Sequence, residues 1–198
     1  MFTFAPPEPK VDICEELKII YDMTEYFREK ADYKTGSITF EAMKYLRNLC
    51  DEFKPTVVAE VGTFIGRSAL TIISSESVEH IFTCDKDNDC VNATPQVHIF
   101  PRQKSTDMFQ WLCRKNEYVD MFFFDGRILP QDIALILRLS SSRTIYVFDD
   151  YEGREKGVVN AELLSPYLKN YTLILGPPSD SDFSKKVTIV ALVPKDMV

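Results

Sequence analysis

Glycine is scarce in this 198-residue chain, with seven in all, yet two of them stand close together at Gly62 and Gly66. That concentration marks one loop as a place where backbone freedom matters. Histidine is scarcer, with two residues, and the five cysteines (Cys14, Cys50, Cys84, Cys90, Cys113) contain no C-x-x-C pair. These absences exclude the common zinc arrangements. Reduced, structural thiols in a cytoplasmic protein are the simple expectation. No run approaches the roughly 18 apolar residues of a membrane span. The first residues, M-F-T-F-A-P-P-E-P-K, lack the basic and apolar stretches of a signal peptide. Basic charge is in deficit too: a net charge of −7 and a pI near 5.0 argue against general affinity for nucleic acid or an anionic membrane.

What remains is globular in composition, with 45% hydrophobic and 27% charged residues. The length suits one domain with a sizeable core. Residues 1–9 are proline-rich and read as an irregular arm. Val11 to Lys30 carries apolar residues at helical spacing, and Ser37 or Thr39 caps a second helix running through Glu52. The polar break A-D-Y-K-T-G-S lies between them. The two helices would cover one edge of the sheet or close over a site.

From Val57 onward strands and helices alternate, the pattern of a parallel sheet with helices on both faces. Strands are expected over Val57–Val61, His80–Cys84, Val97–Phe100, Val119–Phe124, Thr144–Phe148, Tyr171–Leu175 and Val187–Val193. Helices are expected from Gly66 to about Ser75, Thr106 to Lys115 behind an N-cap at Ser105, Gln131 to Leu139 after Pro130, and Lys156 to Leu168. The linker Lys86–Gln96 holds Pro95 and has room for a turn or two of helix. The strand F-F-F at Phe122–Phe124 is the most apolar and should be central. No helix separates the last two strands, so they should pair antiparallel. The whole is a doubly wound, Rossmann-like α/β sheet of seven strands, with two N-terminal helices in residues 1–52 and the core in 53–198.

The stretch V-V-A-E-V-G-T-F-I-G-R-S, Val57–Ser68, reads strand, glycine turn, helix. Such a turn offers backbone N–H groups and a helix N-terminus to a ligand. The dinucleotide fingerprint G-x-G-x-x-G fails at Phe64 and Arg67, and the phosphate loop fails in spacing and in its lysine. The segment E-V-G-T-F-I-G-R-S resembles motif I of class I S-adenosylmethionine-dependent methyltransferases, in the O-methyltransferase form that has an aromatic in place of the middle glycine. The resemblance covers roughly Phe40 to Val193. It implies that Glu60, Gly62, Phe64 and Ser68 hold the methionine part of S-adenosylmethionine, with Thr63 and Gly66 also in the cofactor site. Asp85, closing the second strand, would bind the ribose hydroxyls, and Ser105 falls where adenine is contacted. A helix N-cap is the plainer role for Asp85 or Asp87.

A second constellation joins Asp125 in F-F-F-D-G-R with Asp149 and Asp150 in Y-V-F-D-D-Y. Carboxyl ends of adjacent parallel strands open onto one crevice. Three carboxylates there repel one another without a cation. A hard divalent ion, Mg²⁺ foremost, would balance them, and Arg127 is the alternative, leaving no metal. Metal-dependent O-methyltransferases of the small-molecule and sugar branch show a similar acid set, which implies metal ligation by Asp125, Asp149 and Asp150. Asp125, Asp149 and Arg127 are then the catalytic candidates, and Asp125 also borders the cofactor. Relatives in that branch often read D-G-D-H after the fourth strand, with a base two or three residues past the acid. This chain has Arg127 and Ile128 there. Arg127 could instead bind an anionic substrate group or point to solvent. Tyr151, Glu152 and Lys156 could shape a pocket or supply a base; Trp111 and Phe109 could flank adenine or pack in the core. His80 and His98, at strand starts, read as structural.

The resemblance therefore implies a methyltransferase acting on a small-molecule hydroxyl, with no nucleic-acid or membrane partner and room for a homo-oligomer. Two rivals stand beside it: a cofactor-binding protein without catalysis, and a nicotinamide-dependent oxidoreductase, which Phe64 and Arg67 disfavour.

Overall fold

The computed structural model describes residues 12–30, 37–86, 94–151, 156–178 and 188–198. The proline-rich arm, most of the polar break and of the Lys86–Gln96 linker, Asp87, Cys90, Glu152 and Val187 lie outside them. Helices α1 (Ile13–Lys30) and α2 (Phe40–Phe53) precede the sheet. Then follow β1 (Val57–Val61), α3 (Arg67–Ile73), β2 (His80–Asp85), β3 (Val97–Pro101), α4 (Ser105–Lys115) and β4 (Val119–Phe124). The chain continues through α5 (Asp132–Leu139), β5 (Ser140–Phe148), α6 (Gly157–Leu164), β6 (Tyr171–Leu175) and β7 (Val190–Pro194).

The seven strands lie in the order β3-β2-β1-β4-β5-β7-β6, with β4 in the middle as its apolar run demands. Strands β1 to β5 pair in parallel, and β7 inserts antiparallel between β5 and β6. This is the doubly wound α/β plan with an antiparallel last strand.

Alternation along each strand builds two cores. Val58, Ile81, Met121, Phe123, Ile145 and Val147 face a layer formed with Leu17 of α1, Met43 and Leu46 of α2 and Ile72 of α3. Ala59, Phe82, Phe122, Phe124, Tyr146 and Phe148 face the opposite layer with Met108, Leu112, Ile136 and Leu164. The N-terminal helices thus cover a face of the sheet, not an edge, because their apolar stripes continue the surface that the short helix α3 leaves open.

Several expected boundaries shift. Thr39, not Ser37, caps α2, accepting the Ala42 N–H at 3.2 Å. Ser105 is the first helical residue of α4 and Lys104 its N-cap. Strand β5 starts at Ser140 because main-chain pairing with Val119 carries it through S-S-S-R, a stretch of low β-propensity. Strand β7 starts at Val190. Helix α6 ends at Leu164, where the chain tightens into a 3₁₀ turn, Ser165–Tyr167, containing Pro166. The carboxyl ends of β1, β2, β4 and β5 all open on one rim of the sheet, and the candidate residues gather there.

Candidate active site

The loop after β1 folds through three left-handed residues, Gly62 (φ 100°), Phe64 (φ 43°) and Gly66 (φ 83°). At Gly62 a side chain is also forbidden by space, since a Cβ would lie 2.8 Å from the Asp125 carbonyl carbon. Phe64 holds the position where an aromatic replaces glycine, and its backbone is in the conformation that glycine favours. Its N–H donates to Asp85 Oδ2 at 2.7 Å. Gly66 stands at the N-cap of α3 with a left-handed φ, which glycine adopts freely.

Glu60 is fully buried. The Ser68 hydroxyl donates to one of its oxygens and the Thr83 hydroxyl to the other, while Thr63 lies on Thr83. Burial pushes the Glu60 carboxyl up to about 7 against the pull of those hydroxyls. Thr83 sits directly opposite Glu60 in the β1–β2 register. A polar pair facing across two apolar strands is the signal that sequence reading passed over.

The buried Arg67 ties this loop to the N-terminal segment. Its guanidinium donates to Thr24 Oγ1 at 2.8 Å, to the Ile38 carbonyl at 3.0 Å and to Glu25 at 2.6 Å, and lies over the Tyr21 ring. Ser37 and Ile38 thereby form one wall of a small cleft, whose other walls are Thr63, Phe64, Ile65, Arg67, Ser68 and Asp125. A larger groove runs between α4 and α5 past Gln110, Cys113 and Arg138, but its lining has no carboxylate and lies off the strand rim.

Asp125, Asp149 and Asp150 converge, one carboxylate oxygen of each lying within 4.8 Å of the others. Asp125 and Asp149 are buried and Asp150 half-buried, in a left-handed backbone at φ 52°. The cation among them is Lys156, not Arg127. Lys156 Nζ lies 2.6 Å from Asp125 Oδ1 and 2.7 Å from Asp150 Oδ2, whereas the Arg127 side chain is exposed. Burial lowers the proton affinity of Lys156, but the two carboxylates outweigh it and raise it above the usual lysine range. Asp125 is pushed up to about 7, chiefly by burial, which prevails over the lysine's opposing pull. Asp149 is raised well above the ordinary range, first by burial and then by Asp125 and Asp150.

Two supports fix this arrangement. At Gly157 a Cβ would stand 2.1 Å from the Asp149 carbonyl oxygen, so the start of α6 rests directly on the acid pair. Asn160, fully buried, accepts the Ile128 N–H at 3.1 Å and donates to the Gly126 carbonyl at 2.8 Å, joining α6 to the loop after Asp125. Ile128 is buried. Neither it nor Arg127 offers a base.

The other candidates are dispersed. The Ser105 hydroxyl donates to Asp132 Oδ2 at 2.6 Å, linking α4 to α5. Phe109 is core; Trp111 packs on Phe82 and Phe100. His80 and His98 meet at 3.3 Å at the start of β2 and β3, the opposite end of the strands from the acids. Cys50, Cys84 and Cys113 are buried free thiols and Cys14 an exposed one. Among the described residues no helix is long and apolar enough to cross a membrane.

No family model and no curated protein matches the chain. Solved structures do. The O-methyltransferase TomG from Streptomyces achromogenes, involved in tomaymycin synthesis and bound to S-adenosylmethionine, aligns with a TM-score of 0.66 at 17% identity over 88% of this chain and 89% of its own. An O-methyltransferase from Bacillus cereus with S-adenosylhomocysteine aligns at 0.58 and 16% identity over 94% and 93%. Spermidine synthase from Thermotoga maritima aligns at 0.58 and 14% identity, over 79% of this chain and 60% of its own. The fold is that of the class I S-adenosylmethionine-dependent methyltransferases.

Three carboxylates so close are a hard-oxygen donor set of the kind Mg²⁺ takes. An ion about 2 Å from those oxygens would nevertheless meet the Lys156 ammonium head-on. With Lys156 in place the residues do not fit the metal.

Proposed function

We propose that this chain is an S-adenosylmethionine-dependent methyltransferase acting on the hydroxyl of a small molecule. The observation supporting it is the contact between the glycine loop and the acid cluster: Gly62 packs on the backbone of Asp125, so a cofactor seat and an acceptor seat share one wall. The seat suits a nucleoside with an amino-acid tail. Asp85 is a carboxylate at the end of β2 for ribose hydroxyls. Glu60, Gly62, Thr63, Phe64, Gly66 and Ser68 form the turn for the methionine part, with Asp125 beside it, and Ser105 marks the adenine side through its main chain. S-adenosylmethionine would supply a methyl group on a sulfonium.

The acids then act on the acceptor. Lys156 pairs with Asp125 and Asp150, while among the described residues no ion pair holds Asp149. Asp149 is therefore the carboxylate that takes the hydroxyl proton. Holding the acceptor oxygen in line with the methyl group supplies much of the remaining acceleration. The acceptor is read as a small molecule because the cleft is narrow and the chain is acidic.

A second reading, a cofactor-binding protein without chemistry, draws on the buried Ile128 and exposed Arg127 where related sequences carry a base. Calorimetric titration with S-adenosylhomocysteine tests the shared part, with micromolar affinity expected. Radiolabelled methyl transfer to a panel of phenols and sugars separates the two. Tighter binding of NAD than of S-adenosylhomocysteine would overturn both.

A further inference from the structure

We propose that Lys156 is the built-in cation of the acid cluster, doing with an ammonium group what a divalent ion would do for three converging carboxylates. The inference rests on the methyltransferase reading for its chemistry, but on geometry for its substance. Three carboxylates within 4.8 Å demand a positive charge. Lys156 supplies it at 2.6 and 2.7 Å from two of them.

The lysine is not a loose surface side chain that happened to fold inward. Its main chain is held on the α6 side. Gly157 has no room for a Cβ against Asp149 and Asp150, and the Lys156 carbonyl accepts the Asn160 N–H at 2.9 Å. Asn160 in turn grips the loop that follows Asp125. These contacts set the backbone from which the ammonium reaches Asp125 and Asp150.

An ammonium carries three protons. Asp125 and Asp150 take two, and among the described residues no other partner takes the third. That N–H is the donor for the acceptor oxygen. The positive charge favours the alkoxide or phenolate form as the proton passes to Asp149 and the oxygen attacks the methyl carbon. The sulfonium bond breaks with its electron pair on sulfur, and the methylated product and a protonated Asp149 remain. Lys156 touches the acceptor in this scheme and is catalytic; no metal takes part.

The test uses Mn²⁺ as an oxygen-ligand probe for Mg²⁺, read by electron paramagnetic resonance on the full chain. Wild type is expected to leave Mn²⁺ free at up to about 1 mM, and Lys156→Met to bind one ion at least about tenfold more tightly. The double variant Lys156→Met, Asp149→Asn should lose that ion again. S-adenosylhomocysteine affinity, measured in parallel, should stay within about twofold in all three, which also shows that they fold. Methyl transfer by wild type should withstand EDTA, and Lys156→Arg should recover part of the turnover that Lys156→Met loses. Submillimolar Mn²⁺ binding to wild type that disappears in Asp149→Asn would overturn the proposal. So would a folded Lys156→Met that binds the ion no better than wild type. Failure of wild type to bind S-adenosylhomocysteine would instead remove the methyltransferase reading, and the ion measurements would still decide the role of Lys156.

Discussion

Phe64 donates its backbone N–H to Asp85 across the mouth of the first two strands, 2.7 Å away, from a left-handed conformation at φ 43°. For a bulky side chain that conformation costs on the order of 1–2 kcal/mol. The fold tolerates it because the turn aims the amide at the carboxylate. Replacement by glycine relieves the backbone and loses a half-buried ring, so Phe64→Gly should stay within about 1 kcal/mol of wild type. Phe64→Ala should be weaker and Phe64→Val, β-branched at positive φ, the weakest. Urea denaturation gives the order; a valine variant as stable as glycine would contradict it.

Glu60 imposes a pH dependence on stability. Its carboxyl is pushed from 4.5 up to about 7 in the folded protein. The folded chain therefore holds the proton more tightly than the unfolded one. The stability this contributes is whole below about 4.5 and is withdrawn as pH rises through 7, a change on the order of a few kcal/mol. Asp125 adds a slope of the same sign. Melting temperatures between pH 5 and 8 should fall for wild type and fall less for Glu60→Gln; parallel curves would show that Glu60 is ionised throughout.

Arg67 links α3 to α1 by a guanidinium that is 4% exposed. Arg67→Met should cost about 3–5 kcal/mol, because Glu25, the Ile38 carbonyl and Thr24 all lose their donor. Hydrogen exchange should show α1 opening first while β1 and β4 keep their protection. Uniform loss across the chain would mean that α1 is held by its apolar stripe alone.

Asp149→Asn removes the proposed proton acceptor without changing the side chain's size. Methyl transfer should fall by about 10²–10⁴, with S-adenosylhomocysteine affinity unchanged. An enzyme that keeps its turnover would move the proton to another group.

Gly157→Ala forces a Cβ to within 2.1 Å of the Asp149 carbonyl oxygen. The start of α6 must shift, at a cost of about 1–3 kcal/mol, and Lys156 moves with it. Chemical shifts of a ¹³C-labelled Lys156 ε-methylene should change in this variant and hold in Ala161→Ser, a substitution on the same helix further from the acids.

The fold was legible in the sequence wherever local pattern and tertiary packing agree. The runs Val57–Val61, Val119–Phe124 and Tyr171–Leu175 are apolar and bounded by turn residues, and the strands occupy those very spans. Ser140–Arg143 has no such pattern and becomes strand only because β4 offers it a partner. The acids after β4 and β5 could be paired from the parallel order alone. Lys156 could be suspected of facing a pocket but not of joining Asp125, since charge partners far apart in sequence leave no periodic trace. Arg127 was the natural candidate from nearness to Asp125, yet Asn160 holds the adjoining backbone and the arginine side chain runs outward. Ser105 was suggested by its place after β3, and what the sequence did not show is that its hydroxyl donates to the buried Asp132.

The seam at Gly62 and Asp125 has a consequence for how such a protein can diversify. The proposed cofactor side and acceptor side touch there through main chain, with no room for even one added methyl group. Neither half can be remodelled at that line without moving the other. On the proposed function, new acceptors must be gained by change at the periphery, in the segment around Ser37 and Ile38, while the junction stays fixed. Directed evolution towards other acceptors should accumulate its mutations in that outer ring, and a library confined to Val61–Thr63 and Phe124–Gly126 should yield almost nothing that folds.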